Sequence, residues 1–286
     1  MNARSSAYLS VAALVLAACE QPAPECNVAH GPFWAKYTLV SGEGDCAMLT
    51  GEELDVQSYY AQRSARDPRP DYTKVSMAIA PSSINAALAN AAGLAEPDAA
   101  DTPYALGRFA GNKAGDDGFC RVSELAVARL RLPEVPEHAL DECITAPAAP
   151  AYDVSYTFSN VRVYYTPAAI GTQFAADLTY TQGDCTARYE VSAVYPMVSC
   201  AALGGDAGVP DAAAPTGPTG MDEEDASAAE GDGSADASCP PAEPAPGPTV
   251  ADDALCEGAG INPDFALTCD PVAQMCVLKK EPPSLK

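Results

Sequence analysis

The sequence is poor in histidine, in basic residues and in long apolar runs. His30 and His138 are the only two histidines among 286 residues. No nucleophile-elbow, zinc-protease, P-loop or serine–lysine motif occurs, so no catalytic residue is predicted. Sixteen Lys and Arg face thirty-nine Asp and Glu, and the formal charge of −23 argues against nucleic-acid binding and against electrostatic docking on anionic lipid. Beyond the first eighteen residues no stretch is apolar and long enough to span a bilayer.

The N-terminal residues have the pattern of a secretory signal peptide. Arg4 supplies a positive charge, and the apolar run 7–18 is too short to cross a membrane. Leu16-Ala17-Ala18-Cys19 resembles the lipobox of bacterial lipoprotein signal peptides. That resemblance implies cleavage before Cys19, a diacylglycerol on its sulfur and an acyl group such as palmitate on its amino group. We therefore expect a signal peptide over 1–18; an ordinary secretory signal with a chance cysteine is the alternative.

A short lipid-anchored tether is expected over 19–25. Its seven residues extend by about 3.3 Å each, so the folded part must begin close to the lipid surface. In the sorting rule of enteric bacteria, Asp after the cysteine retains a lipoprotein in the inner membrane, and Glu20 therefore favours the outer membrane. Each buried acyl methylene contributes roughly 0.8 kcal/mol. We expect a cell-envelope protein held to the membrane by its acyl chains, on the periplasmic or the cell-surface face.

Ten further cysteines remain, an even number that indicates disulfide bonds in an oxidising compartment. They are Cys26, Cys46, Cys120, Cys143, Cys185, Cys200, Cys239, Cys256, Cys269 and Cys276. Because no CxxC motif and no histidine at zinc-ligand spacing accompany them, we expect no metal and no cofactor, with zinc as a weakly supported alternative. The connectivity stays open, and local spacing favours Cys120–Cys143 and Cys269–Cys276.

Alternating apolar and polar residues predict antiparallel strands, most clearly in four runs over 152–195. Weaker patterns predict strands at 34–40, 54–60 and 74–80, a Ser-capped helix over 82–92, and a second short helix or a turn over 123–132. The fold class predicted is mainly β, an antiparallel sandwich-like domain with one or two short helices. Aliphatic residues are few, so we expect this domain to depend on its disulfides.

Composition divides the rest of the chain into three parts. The β-rich disulfide domain is predicted over 26–203 and a disordered acidic linker over 204–254. From Gly204 to Gly258 there are thirteen acidic residues and no basic one. A small Cys-rich C-terminal segment over 255–286 is too short for a core of its own. Either it docks on the β domain or its bridges hold it alone.

Candidate chemistry is sparse, and each candidate has an ordinary structural explanation. Each histidine could serve as a general base, although a surface or turn histidine is favoured. The segment 112–118 contains Asn and Asp residues but lacks oxygen ligands and glycine at the positions that an EF-hand loop requires, which favours a surface turn over a calcium site. The tyrosine pairs Tyr59-Tyr60 and Tyr164-Tyr165 could present rings to a sugar or a protein, although core filling is favoured.

Four further stretches of sequence are distinctive. They are Asn160-Val-Arg-Val-Tyr-Tyr-Thr-Pro, Gly171-Thr-Gln-Phe-Ala-Ala-Asp-Leu-Thr-Tyr, Cys185-Thr-Ala-Arg-Tyr with Tyr195-Pro and Cys200, and Gly260-Ile-Asn-Pro-Asp-Phe. Together they resemble a set of myxobacterial lipoproteins of uncharacterised function. The resemblance implies an exported lipoprotein and brings no activity with it. We expect a non-catalytic binding or structural module that contacts an envelope protein or polysaccharide; the alternative is an envelope hydrolase with a His/carboxylate site.

Overall fold

The computed structural model describes residues 25–91, 94–139, 145–203 and 249–286, and these are mainly β-structure. The described strands are β1 Gly31–Ser41, β2 Gly51–Ser64, β3 Asp67–Pro81, β4 Ala105–Phe109, β5 Phe119–Leu125, β6 Ala128–Leu132, β7 His138–Ala139, β8 Thr145–Ala146, β9 Tyr152–Thr166, β10 Ala169–Gln182, β11 Cys185–Val194, β12 Ala201–Leu203, β13 Thr249–Ala251, β14 Leu267–Cys269 and β15 Cys276–Leu278. Within the same ranges one α-helix, α1, spans Ser82–Ala91, and short 3-10 turns occupy Asp45–Ala47 and Asp253–Cys256.

Eight of these strands form an antiparallel sheet that closes on itself. Their order is β10-β11-β1-β2-β3-β4-β5-β9, and β10 pairs with β9 to complete the ring. The fifteen residues of β9 allow it to pair with β5 through one half and with β6 through the other. The predicted mainly β, antiparallel class is confirmed. Closure of the ring was not indicated by the sequence pattern.

The core lies inside the ring because alternate residues of each strand point inward. In β1, Phe33, Ala35 and Tyr37 are buried while their neighbours are more exposed, as the period of two requires. Phe33 packs against Phe174 of β10 with ring centroids 5.4 Å apart. Further fully buried side chains in this core are Leu54, Met77, Ile79, Tyr156, Phe158, Leu178 and Tyr189.

Helix α1 lies at one end of the ring and begins where the sequence predicts. Its Ile84 is fully buried in the ring core. A carboxylate oxygen of Glu52 accepts the Ser83 backbone N–H at 3.1 Å, which satisfies one of the free donors at the helix N-terminus. We call this end, with α1, the helix end.

The predicted helix or turn over 123–132 is wrong. That segment is divided between β5 and β6, which both pair with β9. The apolar spacing of Leu125, Ala128 and Leu132 fits a helix, but Ala128-Arg-Leu-Arg-Leu132 also alternates strictly, and burial in β6 follows the alternation. The pairing with the long strand β9 therefore decides the conformation.

Four disulfides join described cysteines. They are Cys26–Cys120, Cys46–Cys185, Cys200–Cys269 and Cys256–Cys276. The expected Cys120–Cys143 and Cys269–Cys276 bonds are wrong. Folding of the ring brings Cys120 to Cys26, while the C-terminal segment places Cys269 against Cys200 and Cys276 against Cys256. Cys26 and Cys120 are 94 residues apart. Cys143 and Cys239 lie outside the described residues, as do the predicted signal peptide, Cys19 and residues 204–248 of the predicted linker.

The C-terminal segment packs against the ring. Ile261, Phe265 and Leu278 share a second apolar cluster with Ala169 of β10 and Val194 of β11. The Cys200–Cys269 disulfide ties the segment covalently to the chain that leaves β11. Residues 249–251, at the end of the segment predicted as linker, pair with β12 as strand β13, and a 3-10 turn follows at Asp253–Cys256.

The first described residues lie at the end of the ring opposite α1. The Ala29 N–H donates to the Gly171 carbonyl at 3.0 Å, and Glu25 forms a β-bridge with Lys113. The Asn27 side-chain amide donates to the Tyr60 hydroxyl at 3.1 Å. The β2–β3 turn, the loop before β5 and the β9–β10 turn meet here, and we call this the N-terminal end. No helix among the described residues is long and apolar enough to cross a membrane.

Candidate functional site

Both histidines contact backbone groups rather than carboxylates. His30 Nε2 accepts the Ser58 N–H at 3.2 Å. His138 Nδ1 lies 3.0 Å from the Pro136 carbonyl, to which it donates in the matching tautomer. In the described part of the chain, neither histidine forms an ion pair with Asp or Glu. The local geometry therefore assigns no general base to either ring.

The segment 112–118, a candidate calcium site in the sequence, is a surface turn in which the Asp117 carboxylate already has partners. Asp117 binds the Arg121 guanidinium through both oxygens, at 2.5 and 3.3 Å, and accepts the Phe119 N–H at 3.2 Å. The hydrogen bonds from Arg121 and then from Phe119 lower the pKa of Asp117. Gly118 has a φ of 76°, which favours glycine at the end of the turn. These contacts agree with the surface turn that the sequence favours.

Three cysteine sulfurs come together where the C-terminal segment meets the chain that leaves β11. The Sγ atoms of Cys200, Cys256 and Cys276 lie within 4.8 Å of one another. They do so because the disulfides Cys200–Cys269 and Cys256–Cys276 pack side by side. A sulfur bonded in a disulfide offers no thiolate to a metal, so this cluster in its oxidised form is a structural staple.

An aromatic groove crosses the outer face of β2, β3 and β4. It encloses about 410 Å³ and is lined by Tyr59, Tyr60, Ala61, Ser76, Tyr104 and Leu106. Tyr59 lies opposite the small residue Ser76, and Leu106 lies opposite Ala78 on the other side of β3. Tyr59, Tyr104 and Leu106 are 52%, 41% and 40% exposed. Large residues on β2, and on or just before β4, thus form the two walls of the groove, and the small residues of β3 form its floor.

The walls of this aromatic groove are about 10 Å apart, since two strand spacings separate β2 from β4. A chain of hydrogen bonds fixes the orientation of one wall. The Tyr59 hydroxyl donates to Gln57 Oε1 at 3.1 Å, and Gln57 Nε2 donates to Asp55 Oδ2 at 3.1 Å. Arg108 of β4 lies opposite Ser76 and is exposed, which adds a donor beside the apolar surface. The groove therefore offers a flat ring held in place and polar groups at its rim.

The structure separates the two tyrosine pairs singled out in the sequence. Tyr165 is buried, and Tyr164 packs on Phe119 with ring centroids 5.5 Å apart, so core filling is confirmed there. The expectation is wrong at Tyr59 and Tyr60, which are both exposed. Sequence reasoning missed Tyr104 and Leu106. The available signal was the run of small outward residues in β3, which leaves neighbouring strands free to form walls.

Comparison with known proteins identifies one family. The family model MlpA matches residues 31–196, which contain the whole closed ring. A curated relative, "Putative lipoprotein MlpA" of Myxococcus xanthus, is 29% identical over an alignment of 186 residues, which covers 63% of this chain and 70% of that protein. No solved structure gives a significant match to this chain.

Proposed function

Because the chain belongs to the MlpA family, we propose that it is a lipid-anchored module of the bacterial envelope that binds a neutral polysaccharide in the aromatic groove. Cleavage after residue 18 leaves Cys19 as the acylated N-terminus, and Glu20 directs the protein to the outer membrane. The lipoprotein name of its relative and the Leu-Ala-Ala-Cys lipobox support the anchor.

The orientation and exposure of Tyr59 carry the polysaccharide proposal. A tyrosine that is half-exposed yet held by a hydrogen bond presents a rigid apolar face at low entropic cost. Sugar rings stack on such faces and use their hydroxyls for rim contacts with groups like Gln57 and Arg108. The volume of the groove falls in the range of roughly 300–1,000 Å³ typical of small-ligand sites. An overall charge of −23 repels anionic polymers, which favours an uncharged chain.

A hydrolase is the second candidate considered, and the local geometry gives it less support. It requires a histidine beside a carboxylate, whereas the described contacts of His30 and His138 are to backbone groups. The aromatic groove is lined by tyrosine, leucine, alanine and serine, which provide contact area rather than proton transfer. We therefore propose binding without turnover.

Oligosaccharide binding tests the proposed groove. A glycan array first identifies the neutral hexose and N-acetylhexosamine oligomers that bind the protein. The acylated protein in detergent is then titrated with these oligomers. We expect Tyr59→Ala to weaken binding about tenfold, because an aromatic anchor at the centre of a contact is worth more than about 1 kcal/mol. Ile170→Ala is the matched control, since Ile170 is similarly exposed at 53% and lies outside the groove. Equal affinities of the two variants, or no binding by any neutral oligomer, reject the polysaccharide proposal.

Intact-mass analysis tests the proposed anchor. The protein extracted from its native membrane should begin at Cys19 and carry the added mass of diacylglycerol and an N-acyl group. A chain that begins elsewhere, or that carries no lipid, rejects the anchor. Cys19→Ser, which leaves the rest of the chain unchanged, should abolish the lipid mass.

A further inference from the structure

The β2–β3 hairpin concentrates positive charge in a protein that is otherwise strongly acidic. Residues 61–74, which we call the hairpin tip, contain four basic residues and two acidic ones. The basic residues are Arg63, Arg66, Arg69 and Lys74. The whole chain has only sixteen Lys and Arg, so a quarter of its positive side chains lie in these fourteen residues. Nearly all of the hairpin tip is exposed, and its two-residue turn is Ala65-Arg66.

Among the residues that the structure describes, two of these positive charges have no carboxylate partner. Arg69 pairs with Asp67 at 2.8 Å, and Lys74 pairs with Asp71 at 2.9 Å. Hydrogen bonds from Thr73 and Lys74 lower the pKa of Asp71 to about 2, so that carboxylate stays ionised. Arg63 donates to the Pro70 carbonyl at 3.4 Å. Within the described ranges, neither Arg63 nor Arg66 forms an ion pair.

The hairpin tip lies at the N-terminal end of the ring, beside the first described residues. Asn27 binds the Tyr60 hydroxyl, and Tyr60 packs edge-on against Tyr72 with ring centroids 5.1 Å apart. Seven residues separate the lipid-bearing end of the tether from residue 26, and they extend by at most about 25 Å. An anchor at Cys19 therefore keeps this end of the ring, and not the helix end, next to the lipid surface.

Two prolines make the hairpin tip unsuited to strand-on-strand pairing with a protein partner. β3 pairs with β4 only over Ser76–Ile79, so in the described chain the other edge of residues 67–74 is open. Pro68 and Pro70 on that edge have no N–H to donate, which discourages the addition of another strand. Contact through the long arginine side chains and the Tyr72 ring remains available.

We propose that the hairpin tip docks on anionic phospholipid headgroups of the membrane that holds the anchor. Arg63 and Arg66 contact the phosphates, and Tyr72 lies at the headgroup level, where tyrosine is enriched in membrane proteins. This inference rests on the proposed anchor at Cys19, which places the hairpin tip within reach of the bilayer. The overall charge of the protein opposes the same contact, so docking depends on this local excess of positive charge.

Hydrogen exchange on the reconstituted protein tests the proposal. The full acylated chain is placed in vesicles of phosphatidylcholine alone and in vesicles that also contain phosphatidylglycerol. We expect the amides of residues 61–74 to exchange more slowly in the anionic vesicles. Arg63→Gln combined with Arg66→Gln should reduce the protection factor of these amides in anionic vesicles roughly tenfold. The reason is that each basic residue near an anionic surface strengthens binding several-fold. Arg188→Gln combined with Lys280→Gln removes two exposed charges elsewhere and should leave the protection unchanged.

The outcomes separate this inference from the proposed anchor. If the chain floats with both kinds of vesicle and the hairpin tip exchanges equally fast in each, the inference fails and the anchor stands. If the chain does not float with either, both fail. A third outcome is slow exchange that is equal with and without phosphatidylglycerol and is lost in high salt. It indicates that the hairpin tip binds the acidic segment 204–258 of this chain, and it also overturns the inference.

Discussion

Gln173 and Ser284 are 111 residues apart and are paired by their amide groups inside the protein. The Ser284 N–H donates to Gln173 Oε1 at 3.0 Å, and Gln173 Nε2 donates to the Ser284 carbonyl at 3.5 Å. Both residues are fully buried. A side-chain amide thus replaces a strand partner for the backbone of the C-terminal segment. Together with Lys36–Asp270 and the Arg162–Glu281 ion pair, it joins that segment to the ring.

Replacement of the buried amide should loosen the C-terminal segment. We expect Gln173→Leu to lower the free energy of unfolding by about 1–3 kcal/mol, because the Ser284 N–H becomes buried without a partner, while the Ser284 carbonyl keeps the Ala266 N–H at 2.9 Å. Urea unfolding measures the loss, and hydrogen exchange should locate it at residues 265–286. Gln62→Leu on exposed strand β2 is the matched control and should change stability by less than about 0.5 kcal/mol. Equal losses in the two variants contradict this role.

The disulfides should contribute unequally because they close loops of different length. Cys26–Cys120 spans 94 residues and Cys256–Cys276 spans 20. In the chain-entropy model a loop of about 100 residues gives about 4.7 kcal/mol, and one of about 15 residues gives about 3 kcal/mol. Urea unfolding of Cys26→Ala/Cys120→Ala should therefore show the greater loss than that of Cys256→Ala/Cys276→Ala. A greater loss in the short-loop variant would contradict this dependence on loop length.

Acid should weaken the contact between Asp101 and Arg131. The Arg131 guanidinium holds both Asp101 oxygens at 2.8–3.1 Å, and the hydrogen bonds lower the pKa of Asp101, whose side chain is 3% exposed. The unfolded carboxylate keeps its ordinary pKa near 3.9, so this stabilisation is complete above that pH and is lost as the pH falls towards the lower folded value.

We expect Asp101→Asn to cost about 1 kcal/mol at neutral pH and to unfold with a smaller dependence on pH below about 4. Unfolding free energies in urea at a series of pH values measure both effects. Asp98→Asn is the control, because Asp98 also binds Arg131 but its side chain is 44% exposed. An unchanged acid dependence in Asp101→Asn contradicts the prediction.

Alkali should destabilise the fold through its buried tyrosines. Burial, and then the charge of Glu52, raises the pKa of Tyr156, which is 1% exposed and lies 2.8 Å from the Ser83 hydroxyl. The unfolded phenol ionises near its ordinary pKa of about 10. Stability from this group is therefore complete below about pH 10 and is lost as the pH rises further, by up to about 1.4 kcal/mol per pH unit. Tyr156→Phe should show a shallower fall than the parent, while Tyr72→Phe, at an exposed ring, should not.

Local patterns predicted the elements that local contacts decide. Over 152–195 the alternation of apolar residues and the turn at Gly183 were sufficient, because each strand there pairs with its sequence neighbour. The first two of the four predicted runs proved to be one strand, β9, with an irregularity at Asn160, whose φ is 51°. Helix α1 was equally readable from Pro81-Ser-Ser and the apolar spacing that follows.

Pairings between strands that are distant in sequence could not be predicted. The long-range disulfides and the aromatic groove both depend on such pairings. Cys46 meets Cys185 across 139 residues because β1 pairs with β11, and no spacing rule encodes that contact. Tyr59 and Leu106 face one groove only because β4 joins the far side of β3. The residues that form each wall of the groove are present in the sequence, but only the order of the strands in the sheet brings the two walls together.

The pairing of β1 with β11 has a consequence for the order of folding. A chain made from its N-terminus presents β1 early, and the strand that completes its hydrogen bonding ends only at Val194. Until then one edge of β1 is open and the Cys46 thiol has no Cys185 to join. Closure of the ring is therefore a late step of folding, and the Cys46–Cys185 bond forms only after most of the ring has been made.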